Sequence, residues 1–171
     1  MNLTDLRDRA TRHALLPLRL FLGVTFVYAG LDKLTDAAFL SASGTGSIGE
    51  TMQGVRDGSA VPALVDLALQ APAGFGAAIA VGELLVGVAT LLGLFARVAA
   101  AGGALISLSL WLTVSWQVTP YYYGNDLIYL LAWTPLIMAG AAAPSLDAML
   151  QDRSLPWLDR LIPSRRSRRT A

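Results

Sequence analysis

The sequence predicts an all-α integral membrane protein, a four-helix bundle with both termini in the cytoplasm. Three observations carry that prediction. First, 54% of the 171 residues are hydrophobic and only 15% are charged, where a soluble domain carries about 25%; mean hydropathy is +0.53. Second, four apolar windows, at 14–34, 73–95, 97–118 and 125–143, are each long enough to cross about 30 Å of hydrocarbon at about 1.5 Å per residue. Third, Lys and Arg are distributed unevenly among the segments that join them, which fixes a direction of insertion.

The first window, LLPLRLFLGVTFVYAGLDKL over 15–34, follows a basic flank with Arg7, Arg9 and Arg12. Its apolar run exceeds that of a signal peptide and no A-x-A site follows, so it is read as a retained helix. The long connection 36–72 is rich in Gly, Ser and Thr. Within it, Ile48, Met52 and Val55 recur at helical spacing ahead of PALVDLALQAP. Such a connection is either a lid or partner surface or a pair of amphipathic segments resting on the outer leaflet. The second and third windows meet at Ala96–Arg97, a helical hairpin. TPYYYG then joins the third to the fourth, its proline ending the third helix, with Asn125 or Asp126 placed to cap the fourth. The tail 148–171 alternates apolar residues with charges and ends SRRSRRTA, which predicts a cytoplasmic-surface segment held by anionic lipid. The basic residues at both ends and Arg97 lie on one side, against Lys33 and Arg56 on the other; that side is inside.

Charges within the windows are the candidates for chemistry. On a helical wheel Arg19, Gly23, Phe26, Gly30 and Lys33 share one face of the first helix, and Gly76, Glu83, Gly87 and Thr90 share a stripe of the second. Glycine on a charged face predicts packing against protein rather than lipid. Glu83 sits mid-span, where an ionised carboxylate is costly unless paired, protonated or facing water. The expected partner is Arg19; against it, helical side chains lean towards the N-terminus, which draws the two apart in an antiparallel pair. Alternatively Arg19 snorkels to the inner interface, and Glu83 either belongs to a register-fixing pair or handles a proton or ligand. At the outer edge Asp32, Lys33, Trp116, Gln117, the tyrosines through Tyr123, Asn125 and Asp126 collect at similar depth. They form either an interfacial belt with helix caps or a headgroup- or quinone-sized site in which Lys33, Gln117 or Asp126 supply hydrogen bonds. Ser107, Ser109, Thr113 and Ser115 are expected to bond their own helix backbone.

With no cysteine and a single histidine, the chain offers no disulfide, thiolate zinc site, iron–sulfur cluster or bis-histidine haem site. No nucleotide-binding loop is recognisable, so no metal, haem or flavin is expected.

LRLFLGVTFVYAGLDKL, GELLVGVATLLGL and WQVTPYYYGNDLIYLLAWTPLIMAG resemble the DoxX/DoxD-like family of small bacterial four-helix membrane proteins, over roughly residues 15–145. The resemblance implies a multi-pass subunit in the bacterial plasma membrane, linked to quinone reduction as in a thiosulfate:quinone oxidoreductase, with Arg19, Lys33, Glu83, Asn125 and Asp126 as the matching polar residues. Quinone is the cofactor this implies, and Glu83 the candidate catalytic residue. Thiosulfate oxidation needs a group that takes up sulfur or electrons, so a further membrane or soluble redox subunit is expected beside the bilayer. A homo-oligomer stays open, and nothing points to nucleic acid. The rival readings are a non-catalytic scaffold that recruits partners through 36–72 or the basic tail and, with less support, a small-solute carrier.

Overall fold

A computed structural model describes residues 13–141, 144–147 and 149. The basic N-terminal flank and, Met149 aside, the 148–171 tail lie outside the described residues. Among the described residues the chain is all α: α1 (Leu16–Thr35), α2 (Ile48–Arg56), α3 (Pro62–Leu69), α4 (Pro72–Leu92), α5 (Ala96–Thr113) and α6 (Asn125–Ala139), with a 3-10 turn at Tyr121–Tyr123. α1, α3 and α4 each carry a proline in their first turn, where the missing N–H has no helical partner to lose.

α1 and α4 pack antiparallel along a seam of glycines. A Cβ on Gly87 would stand 2.6 Å from the Val27 nitrogen and 2.9 Å from the Gly23 oxygen; one on Gly30 would stand 2.6 Å from the Ala80 oxygen. Only hydrogen fits, so backbone meets backbone. The charged faces predicted from the wheel are the buried ones: Arg19, Gly23, Phe26 and Gly30 on α1, and Gly76, Glu83, Gly87 and Thr90 on α4. α5 packs on α4 and α6 on α5, and α6 returns to α1. Leu22, Phe26, Ala100, Trp133 and Leu136 form the common core. Phe26 meets Trp133 edge to face, centroids 4.9 Å apart, and a Cβ on Gly103 would lie 2.3 Å from the same indole.

The outward faces are apolar. α4 and α5 are each long and apolar enough to cross a membrane, yet only 28% and 33% of those windows are buried; a soluble core helix would be mostly buried. Leu85, Val98, Leu105 and Leu131 are each more than half exposed. α1 is 20 residues long but carries Arg19, Asp32 and Lys33, and α6 is a shorter apolar helix of 15 residues.

Three local expectations are corrected. α5 ends at Thr113, short of 118, because the Leu110 carbonyl accepts from both Val114 and Ser115 while the Leu112 carbonyl is taken by the Ala60 amide and the Ser59 hydroxyl. α6 ends at Ala139, before the expected 143, at Gly140 with φ 73°. Neither Asn125 nor Asp126 caps α6: Gly124 holds the N-cap position without a side-chain bond, and the Asp126 carboxylate turns to Ser115 instead.

The connection 36–72 folds into a helical lid. Ser47 caps α2 by accepting from the Glu50 amide, and Glu50 in turn accepts from the Gly46 amide. Met52, Val65 and Ala68 then bury a small second core against Phe75 at the start of α4. At the opposite end, Gly93 (φ 63°) closes α4 in the left-handed conformation, which glycine adopts at little cost. There the Asp147 carboxylate accepts from the Phe95 and Ala96 amides at 2.8 and 2.9 Å. A residue far along the chain thus satisfies the free N–H groups that open α5.

Candidate functional site

The glycine seam sets the register from which the site is built. Gly23 lies beside Gly87 and Leu91, and Gly30 beside Ala80 and Leu84, so Glu83 stands level with about residue 29 of α1. Lys33 is one turn further on. In an antiparallel pair both side chains lean towards their own N-termini, Lys33 back towards Glu83 and Glu83 out towards Lys33. They meet: Lys33 Nζ donates to Glu83 Oε1 and Oε2 at 3.0 and 2.8 Å. The carboxylate is 4% exposed, so a full ion pair sits inside the helix packing.

Glu83 therefore pairs with Lys33 and not with Arg19. By the same register Arg19 faces the Gly93 end, ten residues or about 15 Å along α1 from the Glu83 level. It is buried, and its Nη2 donates to the Pro144 carbonyl at 2.7 Å. That ties the start of α1 to the segment that caps α5. The side-chain lean that counted against an Arg19–Glu83 pair is what selects Lys33.

Directly above the pair lies a cavity of about 280 Å³ between the lid and the helix ends. All six helices contribute to its wall: Lys33 from α1, Met52 from α2, Val65 from α3, Phe75 from α4, Ser109 and Thr113 from α5, and Asp126 from α6. Phe39 supplies a second aromatic face. Apart from Thr51 the rest of the wall is apolar, and its charge is confined to the floor, where Lys33 and Asp126 stand with Glu83 behind Lys33. Asp126 is steadied by the Ser115 hydroxyl, which donates to its Oδ2. Ser109 and Thr113 bond the backbone of their own helix as expected, through Ile106 and Ser109 oxygens; Ser115 does not.

Of the sequence-derived site residues, Lys33, Glu83 and Asp126 come together here. Gln117, Tyr123 and Asn125 are exposed and do not line the cavity. Gln117 packs over Gly58 of the lid, and the tyrosines meet one another edge to face, Tyr122 against Tyr123 with centroids 5.0 Å apart. Phe39, Met52, Val65 and Phe75 were not named as site residues. The helical spacing of Ile48, Met52 and Val55 gave the apolar face of α2, but nothing local says that this face roofs Lys33, which precedes α2 in the chain.

A family model, DoxX, matches residues 14–116, well over half of the chain. The chain belongs to the DoxX family. The match runs from α1 through α5 and so takes in Lys33, Glu83, the lid and Ser115. It ends short of α6 and Asp126, and short of the 15–145 over which the resemblance was read. No curated protein and no solved structure matches the sequence. As a DoxX protein with two spanning-grade helices, the chain is a membrane-type protein in contact with the lipid bilayer.

Proposed function

We propose that this DoxX protein is a multi-pass subunit of a quinone-linked redox system in the bacterial plasma membrane, one resembling thiosulfate:quinone oxidoreductase. In this reading α1, α4, α5 and α6 cross as a four-helix bundle with both termini in the cytoplasm, and the α2–α3 lid lies on the outer face. The observation that carries it is the lid cavity. An apolar chamber of about 280 Å³ is close to the lower end of small-molecule sites, about 300–1,000 Å³, and suits a single-ring head group. Phe39 and Phe75 offer ring faces, and the charged groups stand only at the floor. The lining suits a quinone head: apolar contact around the ring, charged groups at one edge. A bound quinone would supply the two-electron, two-proton chemistry for which this chain has no group of its own.

The chain's residues hold and orient that head group. Lys33 and Glu83 neutralise each other inside the helix packing, so the floor is polar without an uncompensated charge at the pair. With no cysteine and one histidine, electrons enter from a partner subunit, by a route that ends at the cavity.

The test is extraction of lipid and cofactors from mildly solubilised protein, followed by mass spectrometry. The expected result is a stoichiometric quinone and copurifying redox chains; a preparation with partners but no quinone and no quinone-dependent turnover would replace this reading by a scaffold. That rival has one observation of its own, the outward-facing tyrosines Tyr121 and Tyr123, 68% and 69% exposed. Glu83→Gln is expected to abolish quinone turnover by the complex while the protein stays folded; unchanged turnover would leave Glu83 a purely structural partner of Lys33.

A further inference from the structure

The cavity's polar groups can be sorted by what they have left to offer a ligand. Among the described residues that line it, five side chains are polar: Lys33, Thr51, Ser109, Thr113 and Asp126. Lys33 has three N–H groups. Two go to Glu83, and Nζ reaches the Ala29 carbonyl at 3.5 Å. The three hydroxyls face backbone carbonyls, which only accept, so each hydroxyl hydrogen is committed there: Thr51 to Ser47 at 3.0 Å, Ser109 to Ile106 at 2.7 Å and Thr113 to Ser109 at 2.6 Å. Asp126 accepts from Ser115 through Oδ2, and its Oδ1 has no hydrogen-bond partner among the described residues. The side chains of the cavity have spent their donors and kept their acceptors.

A quinone and its reduced form differ in this respect. The quinone carbonyl needs a donor, whereas the quinol hydroxyl brings one. Resting on the quinone-linked reading above, we infer that the cavity favours the quinol: it holds the reduced, hydroxyl-bearing head group more tightly than the quinone, the O–H donating to the Asp126 carboxylate while the ring lies against Phe39 and Phe75. The division of labour in the floor follows. Asp126 touches the ligand. Glu83 is a positioning residue that acts through Lys33, holding the ammonium hydrogens away from the cavity and placing a positive charge near the Asp126 carboxylate. A quinone in the same space lacks that O–H and is held by ring contact alone, so it binds there, but less tightly than the quinol.

The experiment compares a short-tail benzoquinone with its dithionite-reduced quinol, bound anaerobically to the full chain in mild detergent and read by tryptophan fluorescence and equilibrium dialysis. The two probes share one tail, so partition into the micelle affects them alike. The quinol is expected to bind at least about tenfold more tightly, the effect of one hydrogen bond to a charged acceptor. Equal affinity, or tighter quinone, overturns the inference and leaves the quinone-linked reading standing; binding of neither overturns both. Asp126→Asn keeps the size but presents an amide N–H₂, and is expected to erase the quinol preference. Ser115→Ala retains the carboxylate and is expected to keep it. A tenfold preference that survives in Asp126→Asn overturns the assignment of Asp126. The wild-type comparison decides the main claim even where a variant fails to fold.

Discussion

Two ends of α1 carry a cation, and the protein uses them differently. At the start Arg19 is buried in close-packed structure: its guanidinium holds the Pro144 carbonyl, and the adjoining Asp147 closes the first turn of α5. At the other end Lys33 stands in the wall of a cavity and is neutralised by a buried carboxylate. Arg19's fork bonds an oxygen of the chain that it fastens in place. Lys33's compact ammonium is gathered in by Glu83, with the apolar space left beside it. The glycine seam between them decides which end becomes a clamp and which a chamber. It locks α1 to α4 in a register that brings Glu83 within reach of Lys33 and not of Arg19.

The sharpest way to break this contrast is to remove the cation at the cavity end. Lys33→Met leaves Glu83 buried without its partner, and such a removal costs about 3–5 kcal/mol. Lys33→Met/Glu83→Gln removes both charges and is expected to recover most of that loss. Thermal unfolding in mild detergent measures both. A double variant no more stable than the single one would show that the pair is not what the buried carboxylate depends on.

Next in size is the seam. Gly30→Ala places a Cβ 2.6 Å from the Ala80 oxygen and 2.8 Å from the Leu84 nitrogen. Both are backbone atoms, so the helices must separate, at a cost of about 1–3 kcal/mol. Gly54→Ala on the lid has open space around it and is expected to be neutral or slightly stabilising. Equal melting temperatures for the two would mean the seam is not tight. At the clamp end, Asp147→Ala removes the acceptor for two helix-opening amides and is expected to cost about 1 kcal/mol, with quinol binding at the far end unaffected. A change in binding would show the two ends to be coupled.

How much of this was legible in the sequence follows from the range of each interaction. The helices came from runs of apolar residues, and the buried faces of α1 and α4 from glycines at the spacing of one helical face, because both signals are local and periodic. Helix ends were read less well. α5 stops at Thr113 because Ser59 and Ala60 reach the Leu112 carbonyl across more than fifty residues, and no pattern within α5 foretells that. For the site, Glu83 announced itself as a mid-span acid, but its partner depended on an inter-helix register that only the packed glycines define. The matching depth of Lys33 and Asp126 was visible. Gln117, Tyr123 and Asn125 shared that depth, yet they point outward, and depth alone does not say which way a residue near a helix end faces.

The smallest expected effect concerns the lid itself, where α2 and α3 are joined by a surface ion pair. Arg56 Nη2 donates to Asp66 Oδ2 at 3.0 Å, and Nε donates to the other carboxylate oxygen, a two-point contact. The hydrogen bonds from Arg56, with its charge, hold the Asp66 carboxyl below its ordinary value, and the same pair holds the guanidinium above its own. A carboxyl with a depressed folded-state pKa contributes stability that is present above its unfolded value and lost as pH falls through the folded one. The lid's extra order is therefore expected to persist at neutral pH and to fade only below about pH 4. Exposed pairs of this kind contribute little, so the readout is local: proteolysis or hydrogen exchange within 48–69, followed from pH 6 down to pH 3. Asp66→Asn is expected to give the acid-side behaviour at every pH. If exchange in wild type and variant stays identical at neutral pH, the Arg56–Asp66 pair does not hold the lid, and its closure over the cavity rests on Met52, Val65 and Phe75 alone.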